Sequence, residues 1–133
     1  MQLTSLTRVA VSLVLLPTVV IGRISNVKPF TGTYHATNNS KFPLTFNTIP
    51  SPTNNLDFSV AVGLSPIFIQ NFDLVALGHS STGVGNFTLQ VQLPASKFFG
   101  NGTYRVTAIA TAAYGALYGT QLEVYAQNIT VTV

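Results

Sequence analysis

An all-β domain, a sandwich of two antiparallel sheets with seven or eight strands, is the fold class this sequence predicts. Three observations carry it. Apolar residues recur with a period of two in run after run, as strands with one buried face require. Clusters of Asn, Gly, Pro and Ser, such as TIPSPTNN and GHSSTGVG, separate those runs at the spacing of a sandwich. Beyond the first 22 residues, no apolar period of 3.6 persists through a helix length.

The opening segment, MQLTSLTRVAVSLVLLPTVVIG, stands apart from the domain. Arg8 precedes an apolar run from Val9 to Leu16, Pro17 interrupts it, and Val20 and Gly22 sit where a signal peptidase accepts small or unhindered side chains. A membrane span needs about 20 unbroken apolar residues, and this run is shorter. Residues 1–22 are therefore expected to be a secretory signal peptide, and residues 23–133 one extracellular domain. Short edge strands are expected at Ile24 to Lys28 and Thr33 to Ala36. Longer ones follow in KFPLTFNT (Phe42, Leu44, Phe46), NLDFSVAVG (Leu56, Phe58, Val60, Val62) and NFDLVALG (Phe72, Leu74, Ala76). Phe87, Leu89 and Val91 form the next alternation, which Pro94 ends. After the Asn101-Gly102 turn, Tyr104, Val106, Ala108 and Ala110 alternate. In the last segment Leu122, Val124 and Ala126 share one phase and Ile129, Val131 and Val133 the other, which predicts a β-bulge near Gln127 and Asn128.

Composition restricts function. The sequence has no cysteine, so packing replaces the disulfides common in small secreted domains. Arg23, Lys28, Lys41, Lys97 and Arg105 are spread along the domain against Asp57, Asp73 and Glu123, and no clustered basic patch for nucleic acid results. Asn38, Asn86, Asn101 and Asn128 each open an Asn-x-Ser/Thr triplet, which behind a signal peptide predicts an N-glycoprotein.

The order of segments also carries a resemblance. Ile24, Val27 and Pro29, then FPLTFNT, LDFSVAVGL and GNFTLQVQLPASKFFGNGTYRVTAIA, resemble the immunoglobulin-like domain of fungal secreted cell-wall proteins. The group includes the yeast cell-wall glucan-synthesis proteins and their Ser/Thr-rich GPI-anchored relatives. Leu93-Pro94 and Gly102-Thr103-Tyr104 match that pattern, and Gly85-Asn86-Phe87 matches it with Phe for Tyr; Phe46 stands where a tryptophan is frequent. The resemblance implies an immunoglobulin-like or fibronectin-III-like sandwich associated with the cell wall, and no catalytic residues.

Few residues offer chemistry. GHSSTG lacks the glycine two places after Ser80 that a hydrolase nucleophile elbow needs, and the α/β context is missing. His35 and His79 are the only histidines, so neither a metal nor another cofactor is expected. Asp57 and Asp73 could form a glycosidase pair, but each is expected on the solvated face of its strand. The leading candidates are Tyr114 and Tyr118, flanked by Gly115 and Gly119, as aromatic contacts for cell-wall polysaccharide or another extracellular protein. GLSPIFIQ, residues 63–70, comes second. The competing hypothesis is a small secreted hydrolase that gathers some of Asp57, Asp73, Glu123, His35 and His79 in one cleft.

Overall fold

The structure, a computed structural model, describes residues 22–51, 55–80, 84–115 and 119–133. The expected signal peptide lies outside them except for Gly22, which opens the first strand. Eight strands follow in order: β1 Gly22–Val27, β2 Thr33–His35, β3 Lys41–Pro50, β4 Asn55–Leu64, β5 Ile67–Asp73, β6 Gly85–Gln92, β7 Gly102–Tyr114 and β8 Gly119–Thr132. They form a three-stranded sheet, β1-β3-β6, and a five-stranded sheet, β2-β8-β7-β4-β5. No helix among the described residues is long and apolar enough to cross a membrane.

The period of two does what it predicts in the centre of the molecule. Phe42, Leu44 and Phe46 on β3 and Phe87, Leu89 and Val91 on β6 turn inward, against Val60, Val62 and Leu64 on β4, Val106, Ala108 and Ala110 on β7, and Ile129 and Val131 on β8. Pro43 is tolerated in the middle strand of its sheet because β1 stops pairing at Val27↔Phe46, so no ladder bond is lost on that side. After Gln92, Pro94 caps a 3-10 turn, Ala95–Lys97, that leads into β7.

Four details differ from expectation. First, β2 joins β8 in parallel, through Thr33↔Thr130 and His35↔Thr132, so one pairing departs from the antiparallel plan. Second, the fifth strand is Ile67–Asp73, and Leu74 to Gly78 form turns. Asp73 ends the strand because its Oδ1 accepts the backbone N–H groups of Val75 and Ala76, at 3.0 and 3.1 Å, an alternative to the ladder. Third, β8 contains no bulge: its pairing with β7 runs without a shift from Gly102↔Val131 to Tyr114↔Gly119. The inward phase of Ile129 and Val131 continues back through Gln127, Tyr125 and Glu123, which leaves Leu122 and Val124 facing solvent. Fourth, the shift occurs in β4, between Asp57 and Ser59. Below it Val60, Val62 and Leu64 face inward; above it the inward residues are Asn55 and Asp57, and Phe58 is partly exposed.

This register has a direct test. Val131→Lys places an unpaired charge in the core and should cost about 3 kcal/mol or more. Val124→Lys, on the outward phase of the same strand, should stay within about 0.5 kcal/mol of the parent. Urea denaturation of both variants measures the difference, and a bulge between the two positions would abolish it by turning Val124 inward as well.

Candidate functional site

The bulge in β4 and the unbroken phase of β8 turn polar residues into one end of the sandwich, where β3 leads to β4, β5 to β6 and β7 to β8. Asn55 and Asp57 are each only 2% exposed. Asn55 Nδ2 donates to the Gly22 carbonyl at 3.2 Å and to Asp57 Oδ2 at 3.3 Å. The Ile24 backbone also bonds the Asp57 carboxylate, while the Asp57 N–H donates to the Ser80 carbonyl at 2.9 Å. From the other side of the cluster, Glu123 accepts the hydroxyls of Tyr114, at 3.2 Å, and of Tyr125. Arg23 lies over the Tyr114 ring, its guanidinium carbon 5.7 Å from the centroid.

The electrostatics follow from the burial. Desolvation pushes the Asp57 carboxyl from its ordinary 3.8 up to about 6; the Glu123 charge adds to this, and Asn55, the Ile24 backbone and Arg23 oppose it. Tyr114 is pushed up to about 12 by burial and then by the charges of Glu123 and Asp57. Tyr125 is raised further, by burial and its bond to Glu123.

Of the candidate acids, Asp57 and Glu123 thus come together, and the expectation that Asp57 lies on a solvated face is overturned by the bulge. Its carboxylate is buried among these neighbours. Asp73 is exposed and caps its own turn. His35 is exposed, with Nδ1 2.7 Å from Thr132 Oγ1, and the His79 ring stacks on Phe87 with centroids 4.4 Å apart. Among the described residues no three His, Cys, Asp or Glu side chains gather as a metal site would require. Ser80 lies beside Asp57 through its carbonyl, and residues 81–83 of GHSSTG lie outside the described residues.

Tyr114 folds back into this polar cluster, half-buried, with its hydroxyl and one ring face engaged. Tyr118 lies outside the described residues. The four glycosylation-triplet asparagines, Asn38, Asn86, Asn101 and Asn128, are all exposed. Asn101 accepts the Val133 N–H through Oδ1 at 2.8 Å, so that bond leaves Nδ2 available for sugar.

The second feature is the outward face of the five-stranded sheet. Cross-strand partners set its rows: Val124, Ile109, Ala61 and Asn71 in one, and Ala126, Thr107, Gly63 and Phe68 in the next. An open groove of about 240 Å³ lies there, floored by Ala61, Gly63 and Thr107 and walled by Pro66, Ile67 and Phe68. Gly63 keeps the floor low, since a Cβ there would meet the Ile67 carbonyl oxygen at 3.2 Å. Phe68 is 66% exposed, Val124 65% and Leu122 68%. The GLSPIFIQ segment therefore supplies one wall, whereas Leu122 and Val124 were missed because their alternation reads as core. The outward face of the other sheet is polar: the Thr45 and Thr88 hydroxyls bond at 2.8 Å, and Asn47 donates to Asn26 at 2.7 Å.

Asp57 makes stability depend on pH. Its folded value is raised, so between about pH 4 and 6 the folded chain keeps a proton that the unfolded chain has released. Stability from this group is present below pH 4 and is lost as pH rises through about 6, by at most about 3 kcal/mol. Calorimetry should give a higher melting temperature at pH 5 than at pH 7.5, and Asp57→Asn should flatten that difference.

No curated protein matches the chain. Residues 24–130, from β1 through most of β8, match a family model, and the chain belongs to the Nis1 family.

Proposed function

We propose that this chain is a secreted, N-glycosylated, non-catalytic binding module, and that the outward face of its five-stranded sheet contacts another protein. The observation that carries this reading is the groove beside Phe68. An aromatic ring exposed in water next to an apolar hollow is costly for a free surface and useful for an occupied one. The hollow, about 240 Å³, is small beside the roughly 300–1,000 Å³ of small-molecule pockets. It suits one or two side chains of a protein. A polysaccharide would be better served by several aromatic platforms with polar groups between them, and this face offers Phe68 alone among flexible aliphatic residues.

The three-plus-five strand order supports an immunoglobulin-like, fibronectin-III-like domain, and the Leu93-Pro94 and Gly102-Thr103-Tyr104 motifs support wall association. The apolar segment before Arg23 supports secretion. Against a hydrolase stands the burial of Asp57, although Glu123 beside it is only half-buried.

Two measurements test this reading. Phe68→Arg should abolish binding on an array of secreted proteins, Tyr114→Ala should keep it, and a glycan array should stay silent. Glycan binding that survives Phe68→Arg would move the site elsewhere. Intact-mass analysis of host-secreted protein should show one glycan lost in each Asn→Gln variant at Asn38, Asn86, Asn101 and Asn128. A variant that loses no mass removes its asparagine from the set.

A further inference from the structure

We infer that the occupant of this face is a second copy of the same chain, packed sheet against sheet around a two-fold axis. The inference rests on the reading of the face as a protein-binding surface and names its partner.

Self-complementarity is the first ground. In a two-fold contact the same patch meets itself, so every projection must find its hollow on an identical surface. This face carries both. Phe68, Val124 and Leu122 project, and the low floor of Ala61 and Gly63 lies beside them. The Phe68 ring of one copy can enter the groove of the other while its own groove receives the ring in return.

Charge is the second ground. Among the described residues, the face holds one cation, Arg105, in the row of Asn128, and one anion, Asp73, in the row of Leu122, Thr111 and Ser59. They stand toward opposite ends of the strands, Arg105 on the inner strand β7 and Asp73 on the edge strand β5, with uncharged rows between them. A patch with net charge would repel its own copy, and this one has none. A partner chosen by electrostatic steering would require a face of one dominant sign.

Size is the third. Four strands about 4.8 Å apart, β5 with 7 residues and the others with 10 or more, at about 3.4 Å per residue give roughly 650 Å² in projection. A stable interface of standard size takes about 800 Å² from each partner, and projecting side chains add to the projected area. Three of the four glycosylation triplets leave this area clear: Asn38 and Asn101 are in connections at one end, and Asn86 is on the other sheet. Asn128 has the outward phase of Val124 and Ala126 and stands in the row of Arg105, about 7 Å along β8 from Ala126, so a glycan there borders the face.

Sedimentation equilibrium of the host-secreted chain, from about 1 to about 200 µM, tests the inference. The average mass should climb from that of one chain toward two. Phe68→Arg should raise the concentration for half-association at least about tenfold, with an unchanged circular dichroism spectrum and melting temperature. Gln90→Arg, at an exposed position on the outward face of the three-stranded sheet, should associate like the parent. A parent that stays at one chain's mass throughout, or a Phe68→Arg variant that associates equally well, overturns the inference. If the parent is single but binds arrayed proteins through Phe68, the second copy is wrong and the binding face stands. If it is single and its binding ignores Phe68, both fail.

Discussion

Phe42 and Phe46, both fully withdrawn from solvent on the middle strand of the smaller sheet, are what the rest of this molecule depends on. Without a disulfide, the two sheets stay together through packing between their inner faces, and these two rings are the largest side chains fully buried there among the described residues. Phe42 packs against Phe30 and Tyr34, with centroids at 5.0 and 5.4 Å. Phe46 stacks on Phe87 at 5.3 Å and meets the edge of Tyr125 at 6.3 Å. Tyr34 passes the constraint on: its buried hydroxyl donates to the Leu93 carbonyl at 2.8 Å, and so holds the three-residue β2, too short to stand alone, against the connection that follows β6.

Toward the other end the interior changes character. Above the bulge, Asn55, Asp57, Glu123 and Tyr125 occupy positions that aliphatic residues would fill in a simpler sandwich. Burying them is costly, and Asp57, with its carboxyl raised to about 6, shows the size of that cost. In return the cluster ties β1 to β4 through the Gly22 carbonyl, and gives the start of β8 a hydrogen-bonded inner side where an apolar one is missing. Apolar packing therefore dominates one end of the molecule, and a titrating polar network the other. The pH dependence expected of Asp57 belongs to the second.

The same division explains how much was legible in the sequence. Strands β3, β6 and β7 could be read from alternation alone because their inward residues are apolar along nearly their whole length. In β4 and β8 the inward residues near the polar end are Asn55, Asp57, Glu123 and Gln127, while Leu122 and Val124 face water. A rule that assigns apolar residues to the core then chooses the wrong phase, and must invent a bulge in β8 to recover the right one at Ile129. The true bulge, at Phe58, has no glycine or proline to announce it. One signal was available: Glu123, Tyr125 and Gln127 share the parity of Ile129 and Val131, so an unbroken strand was the simpler solution once polar residues were allowed inside. The tyrosine loop misled for a related reason, since Tyr114 has the inward parity of Val106 and Ala110, and its flanking glycine concealed this.

The two outward faces finally serve as controls for one another. Both belong to the same chain, with the same scarcity of charge and abundance of Thr and Asn. On the smaller sheet those residues form a polar ladder, with Thr45 bonded to Thr88 and Asn47 to Asn26, as a surface in contact with water requires. On the larger sheet the corresponding rows hold Val124, Ile109 and Ala61, then Ala126, Gly63 and Phe68. Composition available to make one face polar was equally available for the other. Scattered apolar residues on a surface need no explanation, but here register brings several of them into neighbouring rows, with Thr107 and Asn71 among them. Apolar surface of this kind is costly in water, and that cost is the physical basis for proposing that the face is covered.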